Sequence, residues 1–327
     1  MNRVHSTPGL ALGSRVRRSL LGLLAGLMMT SGAVAADMKV GVVLSNFSDK
    51  FVTYLRDGVQ RYDREHDDVR VFMADAAGDA ATLMNQIENF IDKKMNAVLI
   101  QPTDRRIVKA VGRKLQQAGI PLVVINHYPE EADRKYMKAY VGSRERQAGI
   151  LQAEAVVRLL NGKPARVGIL MGPLGLEAQM ERTAGNREVF ARHANIKVVA
   201  EQEARWDRAQ AMNVVEDWLQ RKDGFNVFVA NNDEMALGAA LAVHKAGRAD
   251  DSVIVAGIDG TPDALAQLGR GLDVTVFQDA RGQGYYGMQA AHRLAEGKTV
   301  VPVVRWIDFE TVLPADRAHY QDRYRQQ

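Results

Sequence analysis

Two polar side chains, Asn232 and Asp259, stand at matching points of two similar segments about 25 residues apart. Each segment is a short apolar run, Val227 to Ala230 and Val253 to Ile258, that gives way to polar residues where a helical pattern begins. Such runs are typical of buried parallel strands. Because open α/β sheets bind ligands at the carboxyl ends of their strands, both side chains are candidate ligand contacts.

The rest of the chain supplies the elements that would position these residues, because predicted strands and helices alternate from Asp37 onward. Strands are predicted at 39–44, 69–74, 97–100, 122–125, 167–170, 197–204, 227–230, 253–258, 273–277 and within 300–312. Helices are predicted at 51–64, 83–94, 105–118, 147–160, 177–193, 209–221, 234–246 and 283–296, with a short one from 262. This alternation predicts an α/β fold with doubly wound parallel sheets. About 290 residues exceed one comfortable core, so two lobes with a ligand cleft between them are expected.

The first 35 residues predict a cleaved export signal. A basic stretch from Arg15 to Arg18 precedes an apolar stretch from Leu20 to Met29, and Ala33 to Ala35 offers a small-x-small cleavage site. The apolar stretch is short for a bilayer span, which disfavours an uncleaved anchor. We therefore expect residues 1–35 to be removed on export.

Composition indicates a freely diffusing protein of the periplasm. The chain has no cysteine, so no acylated cysteine can tether it, and its core must be large enough to dispense with disulfides. Four of the 43 basic residues fall within the first 35 residues, where there is no acid, which leaves 39 basic against 39 acidic residues. A neutral mature chain is not suited to bind nucleic acid or an anionic membrane surface.

The segments NNDEMALG (231–238) and GIDGTPDA (257–264) resemble those of the periplasmic sugar-binding proteins of ABC importers, the type I periplasmic binding proteins. In the ribose and inositol receptors of that family, this Asn and this Asp hydrogen-bond the sugar. The inositol receptors fit best, since FVTYLRDGV (51–59), IPLVVINHYP (120–129) and YVGSRERQAG (140–149) look like theirs. The similarity runs from about Lys39 to Pro314.

The resemblance also implies how the lobes are connected, because in this family the chain crosses between them three times. The crossings would fall near Ser143, Gln278 and Asp308. The N-terminal lobe would then hold 37–142 plus 279–307, and the C-terminal lobe 143–278 plus 308–327. A hinge of three segments permits closure around a ligand largely about one axis.

Further ligand contacts follow from the resemblance. A cyclic polyol offers hydroxyls at its edge and C–H groups on its faces, so its site needs planar polar groups and aromatic plates. The resemblance gives Asp49 as an acceptor, and Phe51 and Trp206 as plates. For the first two, a helix cap and simple packing are the alternatives. The other matching positions are Gln101, Asn126, His127 and Gln278.

Two departures from the family pattern bear on the ligand. His127 stands where relatives carry an arginine, and the family's A-A-R-x-R pattern reads Ala-Gln-Met-Glu-Arg at 178–182. Met180 then replaces a ligand-binding arginine, and Arg182 is interpreted as structural. The pocket would have fewer donors and more apolar surface, so the ligand would lack a hydroxyl or carry an apolar group there, unless His127 covers the same hydroxyls.

These features predict a receptor for a cyclic polyol or monosaccharide that delivers it to an ABC permease, with myo-inositol first and ribose or another pentose or hexose as the alternative. We expect a monomer with no metal or cofactor, and a second role in chemotaxis stays open. An enzyme is disfavoured because no nucleophile elbow, HExxH spacing or phosphate-binding motif occurs. A LacI-type repressor is disfavoured because the first strand, at Lys39, leaves no room for a helix-turn-helix.

Overall fold

The computed structural model describes His5 and residues 38–104, 106–221, 224–248 and 253–326. The export signal predicted for 1–35 and the first residue of the helix predicted at 105–118 lie outside the described residues. Residues 37–327 form one compact unit. Within the described ranges, no helix is both long enough and apolar enough to cross a membrane.

The first lobe is built on a six-stranded parallel sheet. Its strands are β1 (Met38–Leu44), β2 (Val69–Asp75), β3 (Ala97–Ile100), β4 (Leu122–Asn126), β5 (Ala139–Gly142) and β11 (Val304–Trp306). Their order across the sheet is β11-β5-β4-β3-β1-β2. The helices of this lobe are α1 (Lys50–Glu65), α2 (Ala80–Asp92), α3 (Ile107–Gln117) and α9 (Ala280–Ala295).

The second lobe has a four-stranded parallel sheet in the order β7-β6-β8-β9, with an antiparallel pair beside it. Its strands are β6 (Ala165–Met171), β7 (Ile196–Glu203), β8 (Val227–Ala230), β9 (Ile254–Ala256), β10 (Thr275–Phe277) and β12 (Glu310–Val312). Single bridges from Ala256 to Val274 and from Asp259 to Phe277 join β10 to β9. The helices are α4 (Glu145–Leu160), α5 (Glu177–Phe190), α6 (Arg208–Gln220), α7 (Asp233–Lys245), α8 (Pro262–Gln267) and α10 (Arg317–Gln326).

The chain passes between the two sheets three times, after β5, after β10 and after β11. The predicted fold class, two doubly wound parallel-sheet lobes, is confirmed. The residue limits predicted for each lobe stay a prediction, since the described body is one compact unit.

The central strands form because short apolar runs can be buried on both faces of a parallel sheet. All four residues of β3 and all five of β4 are buried. Helix α1 instead buries one face, through Val52, Leu55, Val59 and Tyr62. As a result, the residue that follows each buried strand comes out at the same edge of its sheet.

Two elements escape prediction from the sequence. Strand β5 reads Ala-Tyr-Val-Gly after a 3₁₀ turn, Glu131–Tyr136, so its apolar run has three residues, against four in the predicted strands β3 and β8. Helix α10 is almost entirely polar and buries only Tyr320 among its described side chains. Its apolar periodicity is therefore absent, and it forms because Tyr320 and its neighbours find partners in the second lobe.

Candidate ligand-binding site

A cavity of about 710 Å³ lies between the two lobes, where the loops that follow β1, β3 and β4 face those that follow β6, β8 and β9. Small-molecule sites are typically of this size. Nine of the ten predicted contacts line it: Asp49, Phe51, Gln101, Asn126, His127, Trp206, Asn232, Asp259 and Gln278. The tenth, Met180, does not. The strand-end rule therefore brings together residues that are up to 229 positions apart in the chain.

Three of these lining residues have an unusual backbone. Asn126, Trp206 and Asp259 have φ values of 65°, 64° and 130°, in the region that favours glycine. Such conformations cost free energy and persist where the surrounding structure requires them, often at functional sites. Arg205, which also lines the cavity, has a φ of 55°, so four non-glycine residues with this backbone surround one cavity and make it a candidate functional site.

Asp49 is a helix cap that also lines the cavity, so the predicted role as ligand acceptor and the capping role are compatible. It is the N-cap of α1, where its Oδ1 accepts hydrogen bonds from the backbone N–H groups of Phe51 (2.8 Å) and Val52 (3.2 Å). It also lines the cavity, and burial raises the pKa of its carboxyl group. Phe51 likewise packs against the core of the first lobe and lines the cavity. Capping and packing thus position these side chains rather than exclude them from the site.

A chain of amide groups braces the first-lobe wall. Gln101 accepts from the Ser45 hydroxyl at 2.9 Å and donates to Asn126 Oδ1 at 3.0 Å. Asn126 in turn donates to Gln283 Oε1 at 3.1 Å, and Gln283 donates to the Ser143 hydroxyl at 3.1 Å. Because each buried amide has a fixed partner, the donors and acceptors of Gln101 and Asn126 that remain unused are held in one orientation.

The second-lobe wall carries the aromatic plate. Trp206 follows β7, and its ring lies against Gly172, where a Cβ atom would be 2.2 Å from the indole. Only glycine leaves room for the ring at that position. Asn232 caps α7, with its Oδ1 accepting from the Met235 N–H at 3.0 Å. Phe51 and Trp206 therefore offer one apolar face from each lobe.

The loop that contains Asp259 is held by Asp233, a fully buried residue at the start of α7. Asp233 accepts hydrogen bonds from the Thr261 N–H at 2.8 Å and from the Thr275 hydroxyl at 2.6 Å. Burial raises the pKa of Asp233 to about 6. These bonds fix the loop that carries Asp259 and so maintain its strained backbone.

Arg182 lines the cavity, although it is interpreted from the sequence as a structural residue and not as a ligand contact. It is 4% exposed, lines the cavity, and donates to the Asn231 carbonyl (2.7 Å), to Asp259 Oδ1 (3.3 Å) and to Gln278 Oε1 (2.9 Å). Burial raises the pKa of Asp259 well above its usual range, although the Arg182 charge opposes this. Arg182, interpreted from the sequence as structural, therefore lines the cavity as well, and it contacts the predicted residues Asp259 and Gln278.

Met180 does not line the cavity, and its predicted contact with the ligand stays a prediction. Helix α5 turns by about 100° per residue, so a side chain two positions from Arg182 or from Ala178 points to the other side of the helix. Ala178 and Arg182 line the cavity, whereas Met180 is 42% exposed. The apolar surface expected inside the pocket from Met180 is therefore not there, and the expectation of a ligand lacking a hydroxyl loses its support.

Other lining residues were not singled out from the sequence. Eight of them come from the loops after β1, β3 and β6: Ser45, Asn46, Thr103, Asp104, Pro173, Leu174, Gly175 and Leu176. The rule that parallel strands deliver ligand contacts at their carboxyl ends would have included all three loops. Among the residues with described positions, no cluster of three or more metal-binding side chains occurs.

Contacts across the cleft join the two lobes. The Tyr128 N–H donates to Glu177 Oε2 at 2.8 Å, and Lys50 Nζ lies 3.2 Å from Asp263 Oδ2. Each contact pairs a first-lobe residue with a residue at the start of a second-lobe helix, α5 or α8. The cavity is thus enclosed by lobes that already touch, as expected of a receptor that closes around its ligand.

We expect Trp206→Ala to weaken ligand binding by about 1 to 3 kcal/mol, a range taken from aromatic stacking on nucleic-acid bases. The ring lies on the cavity wall, so ligand should also change its fluorescence. Trp218, buried in the second-lobe core, is the control. Adding ligand to Trp206→Phe and to Trp218→Phe and recording the fluorescence shows which tryptophan senses the ligand. A ligand-induced change that survives in the first and disappears in the second would remove Trp206 from the site.

His127 predicts a dependence of stability on pH. Burial and the Arg182 charge lower the pKa of His127 to about 4, from an unfolded value near 6.5. Between these values the unfolded chain binds more protons, so this contribution to stability is lost as the pH falls from about 6.5 to 4. Each pH unit between the two pKa values changes the free energy of unfolding by about 1.4 kcal/mol.

The measurement is urea unfolding of the wild type and of His127→Gln between pH 4 and 7.5. The stability of the wild type relative to the variant should fall on acidification. Asp233, whose pKa burial raises to about 6, contributes to stability in the opposite direction, but it is present in both proteins and cancels in the comparison. The matched control is His244→Gln, at an exposed site on α7. A difference that stays constant with pH would contradict the assignment.

Comparison with known proteins gives the family. A model of the periplasmic binding protein domain matches residues 40–299. A protein of Rhizobium meliloti named for rhizopine binding is 38% identical over 312 residues, which are 94% of this chain and 100% of that protein. A ribose import binding protein of Bacillus subtilis is 29% identical over 265 residues, 81% of this chain and 84% of that one.

A solved structure agrees with these relatives. An ABC transporter solute-binding protein of Bacillus halodurans, with bound myo-inositol, is 38% identical and superposes with a TM-score of 0.83 over 88% of this chain and 99% of that one. The resemblance predicted from the sequence is confirmed. The chain belongs to the periplasmic binding proteins, the solute-binding receptors of sugar ABC transporters.

Proposed function

We propose that this receptor captures a cyclic polyol in the cleft, with myo-inositol the first candidate, and delivers it to an ABC permease. The observation that carries the proposal is the composition of the cavity wall. Carboxylate and amide groups emerge at the strand ends of both lobes, and each lobe adds one aromatic side chain, Phe51 or Trp206. A ring of hydroxyls around C–H faces is complementary to such a wall.

The proposed contacts are the nine predicted residues that line the cavity, together with Arg182. The bound myo-inositol of the Bacillus halodurans relative supports this ligand class. A ligand of about a dozen heavy atoms bound at micromolar affinity needs about −8 kcal/mol, or about −0.7 kcal/mol per atom, within the ceiling for small ligands. Polar groups left unpaired by a missing hydroxyl would then distinguish one sugar from another.

The second candidate is ribose or another pentose or hexose. It is favoured by the ribose import binding protein among the relatives. Rhizopine, for which the Rhizobium meliloti relative is named, belongs in the same comparison of ligands. The shared family supports an inner-membrane permease as partner, and the sequence of residues 1–35 supports export to the periplasm by a cleaved signal.

A thermal-shift screen tests the proposal, with myo-inositol, its stereoisomers, rhizopine and common monosaccharides. A ligand at a hundred times its Kd stabilises the folded state by about 2.7 kcal/mol, which raises Tm by several degrees. We expect the largest shift with a cyclic polyol, and recovery of the ligand unchanged. A larger shift with a pentose would move the assignment to the second candidate, and no shift with any of them would refute both.

The charges of the site predict that anionic analogues are rejected. Among the charged residues that line the cavity, acids outnumber bases: the acids are Asp49, Asp104, Glu130, Asp207 and Asp259, and the bases are Arg106, Arg182 and Arg205. An added anion would lie unpaired beside desolvated carboxylates. We expect an inositol phosphate or a uronic acid to bind at least a hundredfold more weakly than the neutral parent in calorimetry. Equal affinity would contradict the proposed contacts.

A further inference from the structure

Glu145 is a buried carboxylate that does not belong to the cavity lining. It is the first residue of α4, directly after the first passage between the lobes, and its side chain is completely enclosed. An ionised carboxylate in the interior is costly unless it is paired and hydrogen-bonded. Its partners therefore show what it contributes.

Both partners of Glu145 face the cavity. Its Oε2 accepts from Arg182 Nε at 2.6 Å, and its Oε1 accepts from Gln278 Nε2 at 3.4 Å. Arg182 and Gln278 are also joined to each other at 2.9 Å, and both line the cleft. Glu145 thus contacts the ligand site from behind, through two side chains that reach it.

The distances show how Arg182 divides its charge between two acids. Its contact with Glu145, at 2.6 Å, is shorter than its contact with Asp259, at 3.3 Å. Charge-assisted hydrogen bonds strengthen as they shorten, so Glu145 holds the guanidinium group more firmly. Asp259 consequently keeps lone pairs that a bidentate pair with Arg182 would occupy.

We propose that Glu145 is a positioning residue that holds Arg182 and Gln278 in place from behind and so keeps Asp259 available as an acceptor for a ligand hydroxyl. The proposal rests on the proposed function, since the ligand is taken to be a polyol. It gives a role to an acid that no ligand can reach.

The groups around Asp259 make the role of Glu145 measurable. Burial raises the pKa of Asp259 most, and Arg182 from α5 lowers it. The charges of three acids also raise it: Asp233 from α7, Asp49 from the cap of α1 and Glu145 from α4. Tyr324 of α10 also interacts electrostatically with Asp259. Removing the Glu145 charge takes away one acid and frees Arg182 to approach Asp259. Both effects lower the pKa of Asp259.

The test compares Glu145→Gln with the wild type by calorimetry with myo-inositol at several pH values. At pH 7 we expect at least a tenfold loss of affinity, because Arg182 moves onto Asp259. Binding weakens on acidification as Asp259 is protonated, and the midpoint of that loss should lie at lower pH in the variant. A purely structural role would reduce affinity without moving the midpoint. The matched control is Glu181→Gln, which removes a partly exposed α5 acid paired with Arg146.

A ligand-free readout separates this proposal from the proposed function. The carboxyl carbon of Asp259, assigned by its absence in Asp259→Asn, is titrated by NMR, and its pKa should be lower in Glu145→Gln. An unchanged pKa, or an affinity within threefold of the wild type, would overturn the proposal. If Glu145→Gln does not fold, Glu145→Asp keeps the charge but shortens its reach, and at least a fivefold loss of affinity is expected; unchanged affinity would overturn the proposal as well. If the wild type binds no polyol, only the proposed function fails, because the titration still reports on Glu145.

Discussion

Asp259→Ala is expected to abolish detectable binding of the polyol and to leave the fold intact. The Asp259 side chain lines the cleft, is 4% exposed and is strongly desolvated. A carboxylate in that position forms charge-assisted hydrogen bonds with ligand hydroxyls, which are about twice as strong as neutral ones. Truncating such a buried charged contact typically costs 2–5 kcal/mol or more, which moves a micromolar Kd towards the millimolar range.

The same change should not weaken the ligand-free protein. Burial raises the pKa of Asp259, which means that the folded state disfavours the ionised group at neutral pH. Arg182 keeps its short contact with Glu145 when Asp259 is removed. Functional groups of this kind often reduce stability, so the unliganded variant should unfold at the same temperature as the wild type or at a higher one.

Calorimetry for binding and thermal unfolding without ligand are the two measurements. The matched control is Asp217→Ala, at an exposed position on α6 of the same lobe, which should change neither. Unchanged affinity in Asp259→Ala would remove this residue from the site. Loss of binding together with a large drop in Tm would instead make its role structural.

The strand ends could be predicted from the sequence because they depend on local pattern. Apolar runs buried on both faces mark parallel strands, and the residue after each run must lie at the binding edge, as Asn126 and Asn232 do. At Asp259 the outcome is the same although β9 ends three residues earlier, because a bridge to Phe277 continues the alignment. A residue therefore reaches the cavity because it lies at this edge of the sheet, even where the strand itself ends a few residues earlier.

The partners of these residues could not be predicted, because they depend on contacts between distant parts of the chain. Asn126 is held by Gln283, 157 positions away, and Arg182 is held by Glu145, 37 positions away. Neither partner carries a local signal, since a glutamine or glutamate within a helix is most often exposed. The sequence could thus name nine residues that line the cavity but not the residues that hold them from behind.

The roles expected for Met180 and Arg182 also differ from their positions in the structure, because those positions depend on three-dimensional geometry. A family pattern matched by letters assigns roles by position, whereas the structure assigns them by the direction in which each side chain leaves the helix. Ala178 and Arg182 are four positions apart and therefore share a face of α5. The periodicity of α5 gives little guidance, because both of its faces contain polar and charged residues.

Arg182→Met is therefore expected to have a large effect, and Met180→Arg almost none. The first change leaves Glu145 and Asp259 buried without their shared cation. Removing one partner of a buried pair typically costs 3–5 kcal/mol of stability, and ligand binding should be lost as well because Gln278 loses its donor. Burial already raises the pKa of Asp259 and the Arg182 charge opposes this, so the pKa of Asp259 should rise further in the variant. The destabilisation should therefore be greatest at neutral pH and above, and should shrink as Asp259 takes up a proton on acidification.

Met180→Arg is the matched control, since it places the same side chain two positions away on an exposed part of α5. Substitutions at such positions usually change stability by no more than about 0.5 kcal/mol, and position 180 does not line the cavity. Urea unfolding between pH 5 and 8 and calorimetry with myo-inositol measure both effects in both variants. If Met180→Arg strengthened binding while Arg182→Met bound normally, position 180 would contact the ligand and the placement of α5 in the cleft would be wrong. If instead Arg182→Met alone fails to bind, the guanidinium group of the site comes from position 182.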